Sequence, residues 1–79
     1  MTSCRQQQKA NKLLDAIEKH GTVDRYDAID EAGMDMRQYY ANSFSGWFIH
    51  TYQDKLHYIE YNKATNTFTW CKKENSTTT

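Results

Sequence analysis

The chain has 79 residues, 38% of them hydrophobic, with ten acidic and ten basic side chains that give a net charge of zero. This length predicts one domain with a small core, because a chain of this size buries only about 60% of its unfolded surface. The sequence has no apolar run near the roughly 20 residues of a membrane span, no secretory signal and only two cysteines, so a cytoplasmic location is expected.

Two amphipathic helices are predicted in the first part of the chain. The first lies within residues 6–21, ends at Gly21, and has an apolar stripe of Ala10, Leu13, Leu14 and Ile17. The second lies within residues 22–33, with Thr22 as a candidate cap and Gly33 as its end. Its predicted buried residues are Val23, Tyr26, Ile29 and Ala32.

A third helix is predicted from Asp35, which can cap it, to about Ser45. Its buried stripe would consist of Met36, Tyr40, Phe44 and Trp47, which recur at helical spacing. The opposite face would be largely polar and consist of Arg37, Gln38, Ala41, Asn42 and Ser45.

From Trp47 the pattern changes to three short segments typical of strands, WFIHTY, KLHYIEYN and TFTWCKK. A four-residue turn at residues 63–66 would give a self-consistent hairpin register. In that register Tyr61 faces Phe68, Ile59 faces Trp70, His57 faces Lys72, and Glu60 and Thr69 share the other face. Aromatic residues then occupy both faces of the sheet, so a second copy of the chain is a candidate cover for one of them.

Two helices separated by a glycine turn, after a first helix and before a β-hairpin, resemble the winged helix-turn-helix superfamily. The resemblance covers residues 9–72 and rests on EAGMDMRQYYANS at the turn and IEYNKATNTFTW as the wing. It implies an α+β fold in which three helices precede a two- or three-stranded antiparallel sheet. Residues 1–8 would be a basic N-terminal extension, and residues 73–79 a disordered tail.

The resemblance also implies a function, since in that superfamily the second helix of the motif enters the major groove and the hairpin touches the flanking backbone. Residues 24–32 would be the positioning helix, residues 35–45 the recognition helix, and residues 62–66 the wing tip. The expected function is a small transcriptional regulator that binds double-stranded DNA, and a homodimer would double its contact area.

Eight residues are predicted to contact DNA. Arginine can bond guanine bidentately, glutamine and asparagine can bond adenine, and serine can bond bases or phosphate, so the predicted base readers are Arg37, Gln38, Asn42 and Ser45. Lysine and arginine contact phosphates, and the predicted phosphate contacts are Lys63, Arg5, Lys9 and Lys12. Residues 1–12 carry three of these basic side chains and no acid.

Acidic residues in the middle of the chain favour an alternative. The run Asp24, Asp27, Asp30, Glu31 and Asp35 would repel phosphate if it faced DNA. It is a solvated face or a docking surface for a basic partner. The alternative function is therefore a protein-interaction module, such as a small phage- or plasmid-type effector that binds a host protein through the acidic second helix.

Metal, cofactor and catalytic sites are not expected. A tight turn at Gln53 and Asp54 would make His50 and His57 cross-strand neighbours, but two histidines do not complete a zinc site. The sequence has no glycine-rich phosphate loop and no nucleophile motif, so an enzyme is not predicted. The aromatic residues of the sheet are expected to belong to the core. The alternative is that they form a platform on which the bases of a single strand stack.

Overall fold

The computed structural model of the chain describes residues 4–72, so the predicted tail at residues 73–79 lies outside the described residues. The elements in chain order are α1 (Cys4–His20), β1 (Thr22–Asp24), α2 (Arg25–Glu31), α3 (Met36–Tyr40), α4 (Phe44–Ile49), β2 (Ile59–Asn62) and β3 (Thr67–Trp70). A 3-10 turn, Ala41–Ser43, joins α3 to α4, and a π-helical segment, His50–Lys55, continues α4. The chain is an α+β protein with a three-stranded antiparallel sheet, as predicted.

The first helix forms with the predicted buried stripe. The four residues of that stripe, Ala10, Leu13, Leu14 and Ile17, are all buried. Gly21 follows the last turn with φ of 78°, a conformation that glycine adopts without a Cβ clash. Because α1 already begins at Cys4, residues 4–8 of the predicted extension are helical.

A short strand occupies the place where the second helix was expected to begin. In β1 Val23 is buried while Thr22 and Asp24 are exposed, which is the alternation of a strand. Val23 lies opposite Phe68 of β3. The prediction that Thr22 caps the second helix is therefore wrong, since the carboxylate of Asp24 accepts the N–H of Tyr26 at 3.0 Å and caps α2.

The third helix is shorter than predicted. It ends at Tyr40, and not near Ser45, because Asn42 and Ser43 adopt the left-handed conformation with φ of 54° and 60°. Asparagine tolerates this region better than most residues, and two consecutive left-handed residues cannot continue a right-handed helix. The prediction of one helix over residues 35–45 is therefore wrong, and a separate helix begins at Phe44.

The segment WFIHTY, predicted as a strand, is helical. Phe44, Phe48 and Tyr52 are buried at intervals of four residues along α4 and the π-helical segment. This spacing is that of a helix, although the aromatic and β-branched residues between them are typical of a strand. The predicted cross-strand neighbourhood of His50 and His57 is therefore wrong as well, because His50 lies in a helical segment.

The hairpin of β2 and β3 has the predicted register. The facing pairs are Ile59 with Trp70, Glu60 with Thr69, and Tyr61 with Phe68. Beyond them His57 does not pair with Lys72, because the backbone N–H groups of Cys71 and Lys72 both donate to the carbonyl of Tyr58. The central strand is β3, and its second partner is β1. This strand precedes α2, whereas the third strand was expected after the third helix.

The core combines aromatic rings with aliphatic side chains. Phe48 is fully buried at its centre, with its ring centroid 5.7 Å from that of Phe44 and 6.0 Å from that of Phe68. Leu13, Ile17 and Ile59 are buried to the same degree.

Two tyrosines that were predicted as core residues lie on the surface. Tyr26 is 56% exposed and Tyr40 is 48% exposed. In α3 the buried residue is Tyr39, and its neighbour Tyr40 points to solvent. In α2 the buried residues are Ala28 and Ile29.

Candidate functional site

The start of α3 is fixed by a reciprocal cap. The N–H of Gln38 donates to Asp35 Oδ1 at 2.8 Å, and the N–H of Asp35 donates to Gln38 Oε1 at 3.1 Å. The predicted cap at Asp35 is therefore confirmed. It also uses the amide oxygen of Gln38 that a bidentate contact with adenine would require.

The four predicted base readers are distributed over three elements. Arg37 and Gln38 lie exposed on α3, Asn42 lies exposed in the 3-10 turn, and Ser45 lies half-buried on α4. Within residues 4–72, the side chain of Arg37 has no hydrogen-bond or ion-pair partner. The predicted continuous reading face is thus reduced to Arg37 and its neighbour on α3.

Two basic residues of α1, Arg5 and Lys9, lie near the end of α3. Lys9 Nζ donates to the carbonyl of Gln38 at 3.3 Å and stands 5.0 Å from the ring centroid of Phe44. Arg5, Lys9 and Asn42 line a common surface groove. Lys12 lines a different groove, together with Lys19, Glu31, Gly33 and neighbouring residues.

The β2–β3 turn, residues 63–66, carries the exposed Lys63. The side chain of Asn62 accepts the N–H of Ala64 at 2.9 Å, and the hydroxyl of Tyr61 donates to Asn66 Oδ1 at 2.9 Å. Asn66 is left-handed, with φ of 55°. The turn that holds Lys63 is therefore ordered by side-chain hydrogen bonds on both of its sides.

Arg25, which the sequence analysis did not single out, joins α3 to this turn. Its Nη1 donates to the hydroxyl of Tyr40 at 2.6 Å, and its Nη2 donates to the hydroxyl of Tyr26 at 3.2 Å. Its backbone N–H donates to the carbonyl of Asn66 at 2.8 Å. The one signal in the sequence was the adjacent pair Tyr39 and Tyr40, whose side chains leave the helix in different directions and so need not be buried equally.

The charge of Arg25 is not neutralised by a carboxylate. None of the ion pairs within residues 4–72 involves it, and its Nε is buried there without a hydrogen-bond partner. Desolvation by burial lowers the pKa of Arg25, but the hydrogen bond to Tyr26 and the nearby Tyr40 and Tyr61 raise it, so the net pKa lies above its ordinary value. The guanidinium is thus a permanent cation between two exposed phenol rings.

The acidic residues lie in a groove of their own. Asp24, Asp27, Asp30 and Glu31 line it together with His20, Thr22 and Val23, and no residue of α3 contributes to it. Glu31 is paired with Lys19 at 3.7 Å and with His20 at 3.4 Å. The groove thus lies apart from the residues of α3, whereas the fifth acid of the predicted run, Asp35, lies at the start of α3 as its cap.

The histidines and the described cysteine do not form a cluster. His50 pairs with Asp54 at 3.5 Å within the π-helical segment, and His57 follows that segment with a left-handed φ of 59°. Cys71 is exposed and its thiol is free. Within residues 4–72, no three histidine, cysteine or acidic side chains are grouped so that they could hold a metal ion.

Comparisons with known proteins identify no relative of this chain. No family model, no curated protein and no solved structure matches the chain. Among the helices of residues 4–72, none is both long and apolar enough to cross a membrane.

Proposed function

We propose that the chain is a small winged-helix DNA-binding protein, a cytoplasmic transcriptional regulator that presents α3 to the major groove of double-stranded DNA. The features on which the resemblance rests support the proposal: a first helix, two helices joined at Gly33, and a β-hairpin. Gly33 has φ of 78° in the tight turn between α2 and α3, a conformation that glycine adopts at little cost.

The observation that carries the proposal is that two cations from other elements contact α3. Lys9 of α1 reaches the carbonyl of Gln38, and Arg25 of α2 reaches the hydroxyl of Tyr40. A groove of DNA is bordered by phosphate backbones, so cations next to the helix match the charge that it would meet there.

Within α3, Arg37 is the residue best suited to read a base. Its guanidinium is exposed and has no partner within residues 4–72, so no protein contact must break before it bonds the two acceptors of guanine. Gln38 keeps its amide N–H groups for a single contact, because its oxygen takes part in the cap. Asn42 and Arg5 share the groove beside the end of α3, and there we assign them to the sugar–phosphate backbone.

Two features bear on this binding mode: the position of the acidic groove and the short length of α3. The acidic groove contains no residue of α3, so phosphate at α3 would not meet it directly. A helix of five residues offers few side chains to a groove, and specific DNA complexes usually bury more surface than that. We therefore propose a homodimer with two copies of α3 on two half-sites.

Fluorescence anisotropy of a labelled mixed-sequence duplex across a salt series tests the proposal. Arg37→Ala should lose about 1 to 3 kcal/mol on a preferred site and relax the preference at one base pair. Lys63→Ala should weaken binding to all sequences alike and reduce the salt slope by about 1. Lys55→Ala is the matched control, because Lys55 is an exposed base at the end of the π-helical segment, and it should bind like the wild type.

Wild-type protein that shows no salt-dependent binding at low ionic strength would overturn the proposal. So would folded Arg37→Ala and Lys63→Ala variants that both bind as tightly as the wild type. In either case the alternative takes first place, a protein-interaction module whose acidic groove docks a basic segment of another protein.

A further inference from the structure

We propose that Arg25, Tyr26 and Tyr40 form a binding site for one backbone phosphate of DNA. The inference rests on the proposed function and adds a contact that neither α3 nor the β2–β3 turn supplies alone. It assigns a role to the two large aromatic side chains that the fold leaves most exposed, Tyr26 and Tyr40.

The chemistry of the cluster follows from the direction of its hydrogen bonds. Arg25 donates to both tyrosine hydroxyls, so each hydroxyl oxygen acts as an acceptor toward the cation. Within residues 4–72 neither hydroxyl donates a hydrogen bond in return. Each phenol therefore keeps an O–H donor that the adjacent cation polarises, and two such donors can bind two oxygens of one anion.

The geometry holds these donors in place before any ligand arrives. The guanidinium carbon of Arg25 lies 4.9 Å from the ring centroid of Tyr26 and 6.0 Å from that of Tyr40. The backbone of Arg25 is bonded to Asn66, so the cluster is fixed to the β2–β3 turn as well as to α2 and α3. Little side-chain freedom remains to be lost on binding, which favours affinity.

The burial of Arg25 Nε has a free-energy cost that no contact of the fold offsets. Its buried Nε has no hydrogen-bond partner within residues 4–72, and a buried donor without a partner usually destabilises a protein. The nearest acid along the chain, Asp24, uses its carboxylate to accept the N–H of Tyr26 and does not pair with Arg25. An arginine kept beside α3 with an uncompensated charge is suited to an external anion.

A phosphodiester is the anion that this position favours. Tyrosine and arginine side chains are both common donors to DNA phosphates. The cluster joins the side of α3 to the turn that carries Lys63, and in the proposed complex the backbone beside the groove passes between these two elements. A carboxylate of a protein partner is the competing ligand.

The test replaces only the hydroxyls. The Tyr26→Phe/Tyr40→Phe double variant keeps both rings, and we expect it to bind a labelled mixed-sequence duplex about tenfold more weakly at every salt concentration, with an unchanged salt slope. Arg25→Gln should lose affinity to a similar degree and also reduce the salt slope by about 0.9, because one phosphate contact is lost. Tyr58→Phe is the matched control and should bind like the wild type. Tyr58 also lies near a cation, since Lys72 Nζ stands 4.3 Å from the centroid of its ring. Its ring, however, packs against those of Tyr52 and Trp70.

The outcomes separate this site from the proposed function. If the wild type binds DNA and the folded double variant binds equally well, the phosphate site is wrong and the proposed function stands. If the wild type binds no DNA, both are wrong, and a carboxylate ligand becomes the explanation to pursue. Should Arg25→Gln fail to fold, the double variant still decides, because it leaves the arginine and both rings in place.

Discussion

Arg25 and Tyr40 meet across the surface of the molecule through a 2.6 Å hydrogen bond from the guanidinium to the phenol oxygen. The first belongs to the first turn of α2 and the second to the last turn of α3, and the backbone of Arg25 is bonded in turn to the hairpin at Asn66. One residue thus connects α2, α3 and the hairpin, through its side chain to Tyr40 and through its backbone to Asn66.

The adjacent tyrosines of α3 should respond in opposite ways to truncation. Tyr39 is almost fully buried, so Tyr39→Ala should reduce the free energy of unfolding by about 3 to 5 kcal/mol and can prevent folding of so small a domain. Tyr40→Ala removes a half-exposed ring and should cost about 1 kcal/mol or less. Urea denaturation followed by circular dichroism compares the two, and equal losses would show that the assignment of core and surface in α3 is wrong.

Alkaline pH should destabilise the protein through Tyr39. Burial raises the pKa of its hydroxyl above the ordinary value, and the neighbouring Tyr61 and Tyr40 raise it further. The phenol ionises more readily in the unfolded chain, so this contribution to stability is intact below about pH 10 and is lost as pH rises above that value.

Substitution of Tyr39 by phenylalanine should reduce this alkaline loss. The hydroxyl makes no hydrogen bond within residues 4–72, so the variant should fold normally. Melting temperatures of wild type and Tyr39→Phe across the alkaline range measure the effect, and Tyr40→Phe, which removes only one of the smaller causes of the raised pKa, should keep most of the wild-type decline. An identical decline in all three proteins would assign the alkaline loss to other groups.

Parts of the fold were predictable because short-range signals agree with long-range packing there. The stripe of α1 has helical spacing over the whole segment, the cap at Asp35 depends on residues three apart, and the hairpin register follows from alternation on both sides of its turn. In these places each local preference favours the structure that the core also requires.

Other parts could not be predicted, for physical reasons. Strand β1 has three residues, too few for a period to be recognised, and it exists because β3 offers it a partner. The break after α3 depends on two left-handed residues, Asn42 and Ser43, which no pattern of apolar residues encodes. The Arg25 cluster was missed because Tyr26 and Tyr40 were assigned to the core on spacing alone.

The glycines of the turn and of α4 give a matched pair of predictions. An added Cβ would meet no atom within 4 Å at either Gly33 or Gly46, so backbone conformation alone decides the outcome. Gly33 has φ of 78°, and Gly33→Ala should cost about 1 to 2 kcal/mol. Gly46 lies in α4, where Gly46→Ala should stabilise by about 0.5 to 1 kcal/mol. Thermal denaturation of both variants checks the signs, and stabilisation by Gly33→Ala would contradict the turn geometry.

The cap of α3 can be removed without a change in the core. Asp35→Ala removes the carboxylate that accepts the N–H of Gln38 and should cost about 1 kcal/mol, measured by chemical denaturation. Asp54→Ala serves as the control, since Asp54 is an exposed acid whose 3.5 Å contact with His50 should be worth less than about 0.5 kcal/mol. If the two variants lost the same stability, the reciprocal cap would not be the feature that fixes the start of α3.

Backbone amide NMR during titration with a short mixed-sequence duplex tests most directly whether α3 is the surface that binds DNA. The proposal predicts the largest shift changes at Arg37, Gln38 and Tyr40, smaller ones near Lys63, and none at Asp27 and Asp30 in the acidic groove. All of these changes should fade as salt is added, because phosphate contacts release counterions. A spectrum that does not change at low ionic strength, or changes confined to residues outside α3 and the β2–β3 turn, would contradict the proposal.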